Sequence, residues 1–318
     1  MNLKSLVKET LGHRTCEQLG RIRNRLGKLW HRLLGRSAPL LRSTACFPVP
    51  LTHIRTALSQ LDIRRGDILL VHSSVAALGK AGLQPDQDTP RNPVLYAQAI
   101  TEILLDAVGP EGTLLMPTEA DGDPRDRARN KTVFDWRTDL SNRGLITELF
   151  RRRKDVIRSV HPWYNVSACG RLAEELIKDH DRSTPYTMDR NSPWFKLTEM
   201  NGKVLFLGTT LETNSLLHLP EYLYPGEYPR RIFFADPVPL CYRGRDGSIQ
   251  TMDVMIHVPD WRSGEGTRFC DYLDHKYHIY TRLDLGRSQA VSHLASRQYE
   301  ALCSELRQRV TWYDVRNW

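Results

Sequence analysis

Three histidines and two carboxylates in the middle of this 318-residue chain have the types and spacing needed to move a proton. His161 precedes Pro162, His180 follows Asp179, and His218 lies three residues before Glu221. An imidazole changes charge near neutral pH, and a carboxylate beside it fixes its tautomer and stabilises the proton it gains. Such a pair can act as a general base. Proline removes a donor and turns the preceding residue toward extended backbone, so His161 is expected on a rigid loop. His218 and Glu221 share a face if they fall on one helical turn. His180 also has a plainer reading, as a cap on a helix ending at Lys178.

The elements that must position these residues alternate. A helix over 52–61, a buried strand over 67–72, a helix over 93–108 and a second buried strand over 112–117 give a βαβ rhythm. Residues 119–142, rich in Asp, Arg and Asn, read as a long surface loop. A helix over 144–153, a strand over 166–169, a helix over 172–178 and a strand over 204–208 follow. Two further strands, over 232–240 and 248–258, flank a turn at 243–247, and a helix over 288–308 closes the chain. This order predicts an α/β fold: a central mixed sheet flanked by helices, with a β-rich excursion.

The formal net charge is +8, and its placement matters. Ten Lys or Arg against Glu9 and Glu17 put the whole surplus in residues 1–45, leaving the rest formally neutral. Leu19, Ile22, Leu26, Leu29, Trp30 and Leu33 follow a helical rhythm there, so the organisation predicted is a basic amphipathic segment over 1–47 and a single domain over 48–318. Such a segment suits docking on an anionic membrane surface or a protein partner, or packing on its own domain. No nucleic-acid module accompanies it, which disfavours a nucleic-acid partner. No apolar run approaches the roughly 20 residues that cross a bilayer, and no secretory signal is legible. The expected location is the cytoplasm, with peripheral attachment to the inner face of the membrane as a further reading. Cys16, Cys46, Cys169, Cys241, Cys270 and Cys303 lack paired spacing, so reduced thiols and no metal site are expected. His275 and His278 have metal-like spacing without a matching pair and read as surface or packing residues.

Taken in order, Asp67–Ser74, Gly112–Thr118, the run Arg158-Ser159-Val160-His161-Pro162, Asn165–Gly170, Asp179-His180, Ser192-Pro193 and Thr213–Glu221 resemble the aminoglycoside 3-N-acetyltransferase (antibiotic N-acetyltransferase) family. The resemblance implies an enzyme that carries acetyl from acetyl-coenzyme A to an amine of an aminosugar. It implies His161 as general base and Glu221 as its partner, with Asp179 the alternative orienter. His180 and His218 are then candidates to bind substrate. Coenzyme A phosphates need hydroxyls, amides and a cation, and ligands of open α/β sheets bind beyond the carboxyl ends of strands. Ser73 and Ser74 fit that place, though they also read as caps of the next helix, and Arg158 and Ser159 adjoin His161.

An aminoglycoside carries several positive charges, so its site should present excess carboxylate. Residues 46–318 have no such excess, and around Glu119, which is taken as an acceptor contact, acidic side chains alternate with Arg125, Arg127, Arg129 and Lys131. That balance favours an endogenous aminosugar, free in a glycan or linked to a nucleotide, over an antibiotic. A resistance acetyltransferase is the alternative, and an inactive membrane-docked scaffold is a third reading.

Overall fold

The structure is a computed structural model that describes residues 48–84, 86–258 and 265–313. The basic segment 1–47, with its proposed docking role, lies outside the described residues, as do Cys16 and Cys46.

Helix α1 (Leu51–Gln60) leads into strand β1 (Ile68–Ser73) and the short α2 (Val75–Leu78). Helix α3 (Pro93–Val108) spans the residues expected from its signals. The Asn92 side chain accepts from the Val94 and Leu95 amides, Pro93 fills the first turn and Gly109 at φ 64 ends it. Strand β2 (Thr113–Pro117), α4 (Pro124–Arg129), α5 (Leu145–Arg151), β3 (Ile157–Arg158), β4 (Val166–Gly170), α6 (Ala173–Ile177), α7 (Pro193–Glu199) and β5 (Lys203–Leu207) follow. A 3₁₀ turn, Ser215–His218, runs directly into α8 (Leu219–Leu223). The hairpin β6 (Val238–Arg243) and β7 (Ile249–Val254) stands apart, and α9 (Glu265–Tyr277), β8 (Thr281–Leu285), β9 (Ser288–Leu294) and α10 (Ala295–Arg307) complete the fold.

Seven strands form one sheet in the order β3-β4-β2-β1-β5-β9-β8. The central three, β2, β1 and β5, are parallel, and the outer strands pair antiparallel, so the sheet is mixed as expected. Alternation along each strand divides the core. Leu70, Val204 and Phe206 pack with α6, α7, α8, α9 and α10 on one face. Leu69, Val71 and Leu205 pack with α1, α3 and α5 on the other. Helices therefore cover both faces.

Four expectations are corrected. The helix expected over 288–308 starts only at Ala295, because Ser288–Leu294 pairs with β8 across the two-residue turn Gly286-Arg287. Gly286 at φ 69 supplies the positive angle that such hairpin turns demand. The loop 119–142 contains α4, capped by Asp123 and started by Pro124. The strand expected over 232–240 is displaced toward the turn as β6, 238–243, and the one expected over 248–258 shortens to β7. Among the described residues no helix is long and apolar enough to cross a membrane.

Candidate active site

Asn214 shapes the turn that carries His218 and Glu221. Its side chain accepts from the Leu216 amide at 3.1 Å and donates to Gln298 Oε1 at 3.1 Å, fixing the start of the 3₁₀ turn against α10. Pro220 then sits in the first turn of α8, where its missing N–H is harmless. Across this continuous turn His218 and Glu221 meet, with Nδ1 of the ring 2.7 Å from Oε2 of the carboxylate.

Glu221 is fully buried and has three hydrogen-bond partners among the described residues. His257 Nε2 reaches the same Oε2 at 2.6 Å, and Trp312 Nε1 donates to Oε1 at 2.6 Å. Burial acts to raise the Glu221 carboxyl, but the charges and hydrogen bonds of His218 and His257 outweigh it and hold the group well below the usual carboxylate range. Burial pushes His257 down, against the pull of Glu221. Its Nδ1 lies 3.3 Å from the Tyr222 hydroxyl. His218 differs from its neighbours in exposure, with 18% of its side chain open against 4% for His257 and none for Glu221. The cluster is thus a buried, ionised carboxylate that orients one ring at a surface and a second ring inside.

His161 lies on irregular backbone between β3 and β4, as expected of a loop residue, but its ring faces inward. The ring is fully buried and stacks on His180 with centroids 4.6 Å apart. Its Nδ1 accepts from the Trp163 amide at 3.1 Å, which leaves the proton on Nε2, 3.1 Å from the Ser183 carbonyl. Both nitrogens are therefore engaged by backbone, and burial drives the pKa down to about 4. His180 is equally enclosed: Nε2 pairs with the Thr187 carbonyl at 3.1 Å and Nδ1 with Ser159 Oγ at 2.9 Å. Ser159 Oγ in turn accepts from the Val166 amide at 3.0 Å. Burial, and then the neighbouring His161, hold His180 well below its ordinary value. Together these groups clamp the 159–167 turn to the 180–187 segment.

Arg158 and Asp179 are also drawn away from the roles expected of them. Arg158 is 3% exposed; it donates to Asn165 Oδ1 at 2.7 Å and to the carbonyls of Asp139, Trp136 and Thr118. Four of its five donors are committed inside the protein, so little remains for a phosphate. Asp179 pairs with Lys196 at 3.0 Å and Arg182 at 3.6 Å, not with His161.

The carboxyl edge of the parallel strands carries Ser73, Ser74 and Glu119. Ser73 and Ser74 are half-buried, and Ser74 Oγ accepts from the Ala77 amide at 3.3 Å, the capping role, at the start of α2. Gly208, at φ 74, lets β5 approach this turn, where a Cβ would lie 2.9 Å from the Ser74 carbonyl oxygen. Glu119 is 1% exposed and ion-paired with the half-exposed Arg143, so the acceptor contact expected of Glu119 falls to a neutralised pair. His72, beneath the same edge, is pushed down to about 3 by burial, then by Arg143 and His293.

His257, Trp312, Tyr222 and Arg143 escaped the sequence reading. His257 follows a strand in an apolar run and Trp312 follows the last helix, with no spacing that links either to Glu221. His275 and His278 line an open cleft with Asp271, Asp274 and Arg282, a lining that does not include Glu221. Among the described residues, His218, Glu221 and His257 are the one group whose ligand atoms lie close enough together for a metal ion. The four described cysteines, Cys169, Cys241, Cys270 and Cys303, are free thiols.

A family model described as aminoglycoside 3-N-acetyltransferase matches residues 70–302. Aminoglycoside N(3)-acetyltransferase IX of Micromonospora chalcea is 30% identical over 208 residues, 60% of this chain and 68% of its own. Aminoglycoside N(3)-acetyltransferase IV of Salmonella sp is 33% identical over 168 residues, 52% of this chain and 56% of its own. Aminoglycoside N(3)-acetyltransferase III of Pseudomonas aeruginosa is 30% identical over 227 residues, 67% and 75% of the two chains. Among solved structures, the apoenzyme of aminoglycoside acetyltransferase AAC(3)-IVa matches with a TM-score of 0.63 and 24% identity, covering 83% of this chain and 91% of that one. AAC-IIIb in its binary complex with CoASH matches at 0.66 and 22%, covering 82% and 97%, and both likenesses concern the fold. The chain belongs to the aminoglycoside 3-N-acetyltransferase family of acetyl-CoA-dependent acetyltransferases.

Proposed function

We propose that this chain transfers acetyl from acetyl-CoA to an amino group of an aminoglycoside, with His218 as general base and Glu221 as its orienter. The observation that carries the reading is the 2.7 Å contact between Nδ1 of His218 and the buried, ionised Glu221, on a ring that reaches the surface. With Nδ1 held by the carboxylate, an incoming proton enters at Nε2. The amine attacks the thioester carbonyl as its proton passes to that nitrogen, Glu221 stabilises the imidazolium, and the intermediate expels the coenzyme A thiolate, which takes a proton as it leaves.

This assignment takes the base role from His161, whose Nδ1 could accept a proton only by releasing the Trp163 amide. Glu221 keeps the partner role expected of it. Ser73 and Ser74 are the donor-site residues in this reading, since they are half-buried at the edge where ligands of open sheets bind. Acetyl-CoA supplies the acyl group.

Of the acceptor readings, the aminoglycoside is better supported than the endogenous aminosugar. The sequence relatives above are named for aminoglycosides, and one related structure, AAC(3)-IVa, is described in complex with apramycin. An inactive scaffold has no claim on an intact base and orienter. The test is direct: incubate the protein with acetyl-CoA and a panel of aminoglycosides and nucleotide-linked aminosugars, and weigh the products. Monoacetylated aminoglycoside is expected. Acetylation of nucleotide sugars alone would return the acceptor to the endogenous class, and no product at all would favour the scaffold.

A further inference from the structure

Glu221 offers a single oxygen to two imidazoles, which is more than the orientation of one base requires. Oε2 meets Nδ1 of His218 at 2.7 Å and Nε2 of His257 at 2.6 Å, and the three ligand atoms lie within 4.8 Å of one another. We propose that His218, Glu221 and His257 form an inhibitory site for a divalent transition-metal ion of the zinc class, and that its occupancy switches acetyl transfer off. The switch rests on the reading of His218 as base; the metal site itself does not.

The donor chemistry selects the ion. Two imidazole nitrogens and one carboxylate oxygen form the ligand set of one class of zinc centre, whereas Mg²⁺ and Ca²⁺ prefer oxygen ligands throughout. The outer contacts that such a centre needs are already in place. Trp312 Nε1 holds the other carboxylate oxygen at 2.6 Å, and the Tyr222 hydroxyl faces the other nitrogen of His257 at 3.3 Å. His218, with 18% of its side chain exposed, gives the ion a way in. Tetrahedral coordination at the usual zinc bond lengths separates neighbouring ligand atoms by about 3.4 Å, so each ring withdraws from Oε2 by roughly 0.7 Å.

The protons balance without release. The proton on Nδ1 of His218 moves to Nε2, and the proton on Nε2 of His257 moves to Nδ1, where the Tyr222 hydroxyl turns from donor to acceptor. Both rings stay neutral, Glu221 stays ionised, and water completes the coordination. The consequence falls on catalysis. Nε2 of His218, which must receive the amine proton, then already carries one, and the base is occupied from behind.

The experiment titrates the full chain, free of coenzyme A, with Zn²⁺ by calorimetry and with Co²⁺ by visible absorption, using Mg²⁺ as comparison. Acetyl transfer is followed by product mass, with zinc in excess over thiol. Expected are one saturable zinc site, intense Co²⁺ bands of a four-coordinate ion, no response to Mg²⁺, and activity that falls with the binding midpoint and returns on chelation. His257→Phe should weaken zinc binding by at least about tenfold, since losing even an outer contact costs that much, and its remaining activity should resist zinc. A double variant, His275→Ala with His278→Ala, should bind as the parent does. Zinc binding or inhibition that persists unchanged in His257→Phe overturns the proposal, as do faint Co²⁺ bands of a hydrated ion in the parent protein, a result that needs no variant. If His218→Ala retains full turnover, the base reading and the switch fall; one zinc site lost in His257→Phe then leaves the metal site standing.

Discussion

Glu221→Gln isolates the charge of the orienter from its shape. At an effective dielectric near 20 and a separation of about 4 Å, a carboxylate and an imidazolium attract by about 4 kcal/mol. That is close to three powers of ten in rate if the whole attraction develops in the transition state. The amide retains a hydrogen bond to His218 and recovers part of it, so kcat should fall about 10²- to 10³-fold. Stability responds separately. Glutamine can turn its oxygen toward His218 and His257, which leaves its NH₂ facing the Trp312 indole N–H, donor against donor. One buried donor without an acceptor costs about 1–3 kcal/mol, and for a chain of this size each kcal/mol lowers Tm by about 1.5 °C. The assay pairs steady-state kinetics in both substrates with a thermal melt. A folded variant whose kcat stays within about threefold of the parent would refute the reasoning and reduce Glu221 to a structural anchor.

Other predictions concern groups outside the proposed reaction. His161→Phe leaves the Trp163 amide and the Ser183 carbonyl without their partner; stability should fall by about 2–6 kcal/mol, while kcat per folded molecule, measured below the melt, stays within a few-fold. Acid sensitivity should begin early. With pKa values of about 4 for His161, 4 for His293 and 3 for His72, against 6.5 unfolded, the unfolded chain binds more protons below pH 6.5. Stability is therefore complete above pH 6.5 and is lost as pH falls toward 4, by on the order of 3 kcal/mol for His161 alone. Melts between pH 4 and 8 check this, and a Tm flat from pH 7 to 5 would contradict it.

Much of the fold was legible because its signals are local. The caps of α3 and the apolar runs of β1, β2 and β5 depend on neighbours in sequence, and they form where expected. The C-terminal third was harder to read. Ser288–Leu294 is followed without a break by α10, so one long helix and a strand joined to a helix look alike until the Gly286-Arg287 turn is recognised. At the site, the three-residue spacing of His218 and Glu221 encodes a contact that the structure contains. The base role of His161 was what the family resemblance implied, and a sequence does not show which way a ring faces, which here is inward. His257 and Trp312 reach Glu221 across 36 and 91 residues, and no local pattern encodes such contacts.

The most direct test of the account is the rate of acetyl transfer by His218→Ala beside the parent, with saturating acetyl-CoA and an aminoglycoside that the parent acetylates. The account predicts that the variant folds and binds coenzyme A as the parent does, and that turnover falls by about 10²-fold or more, the scale of a lost general base. Turnover within about threefold of the parent, at unchanged coenzyme A affinity, would contradict the account and place the base elsewhere.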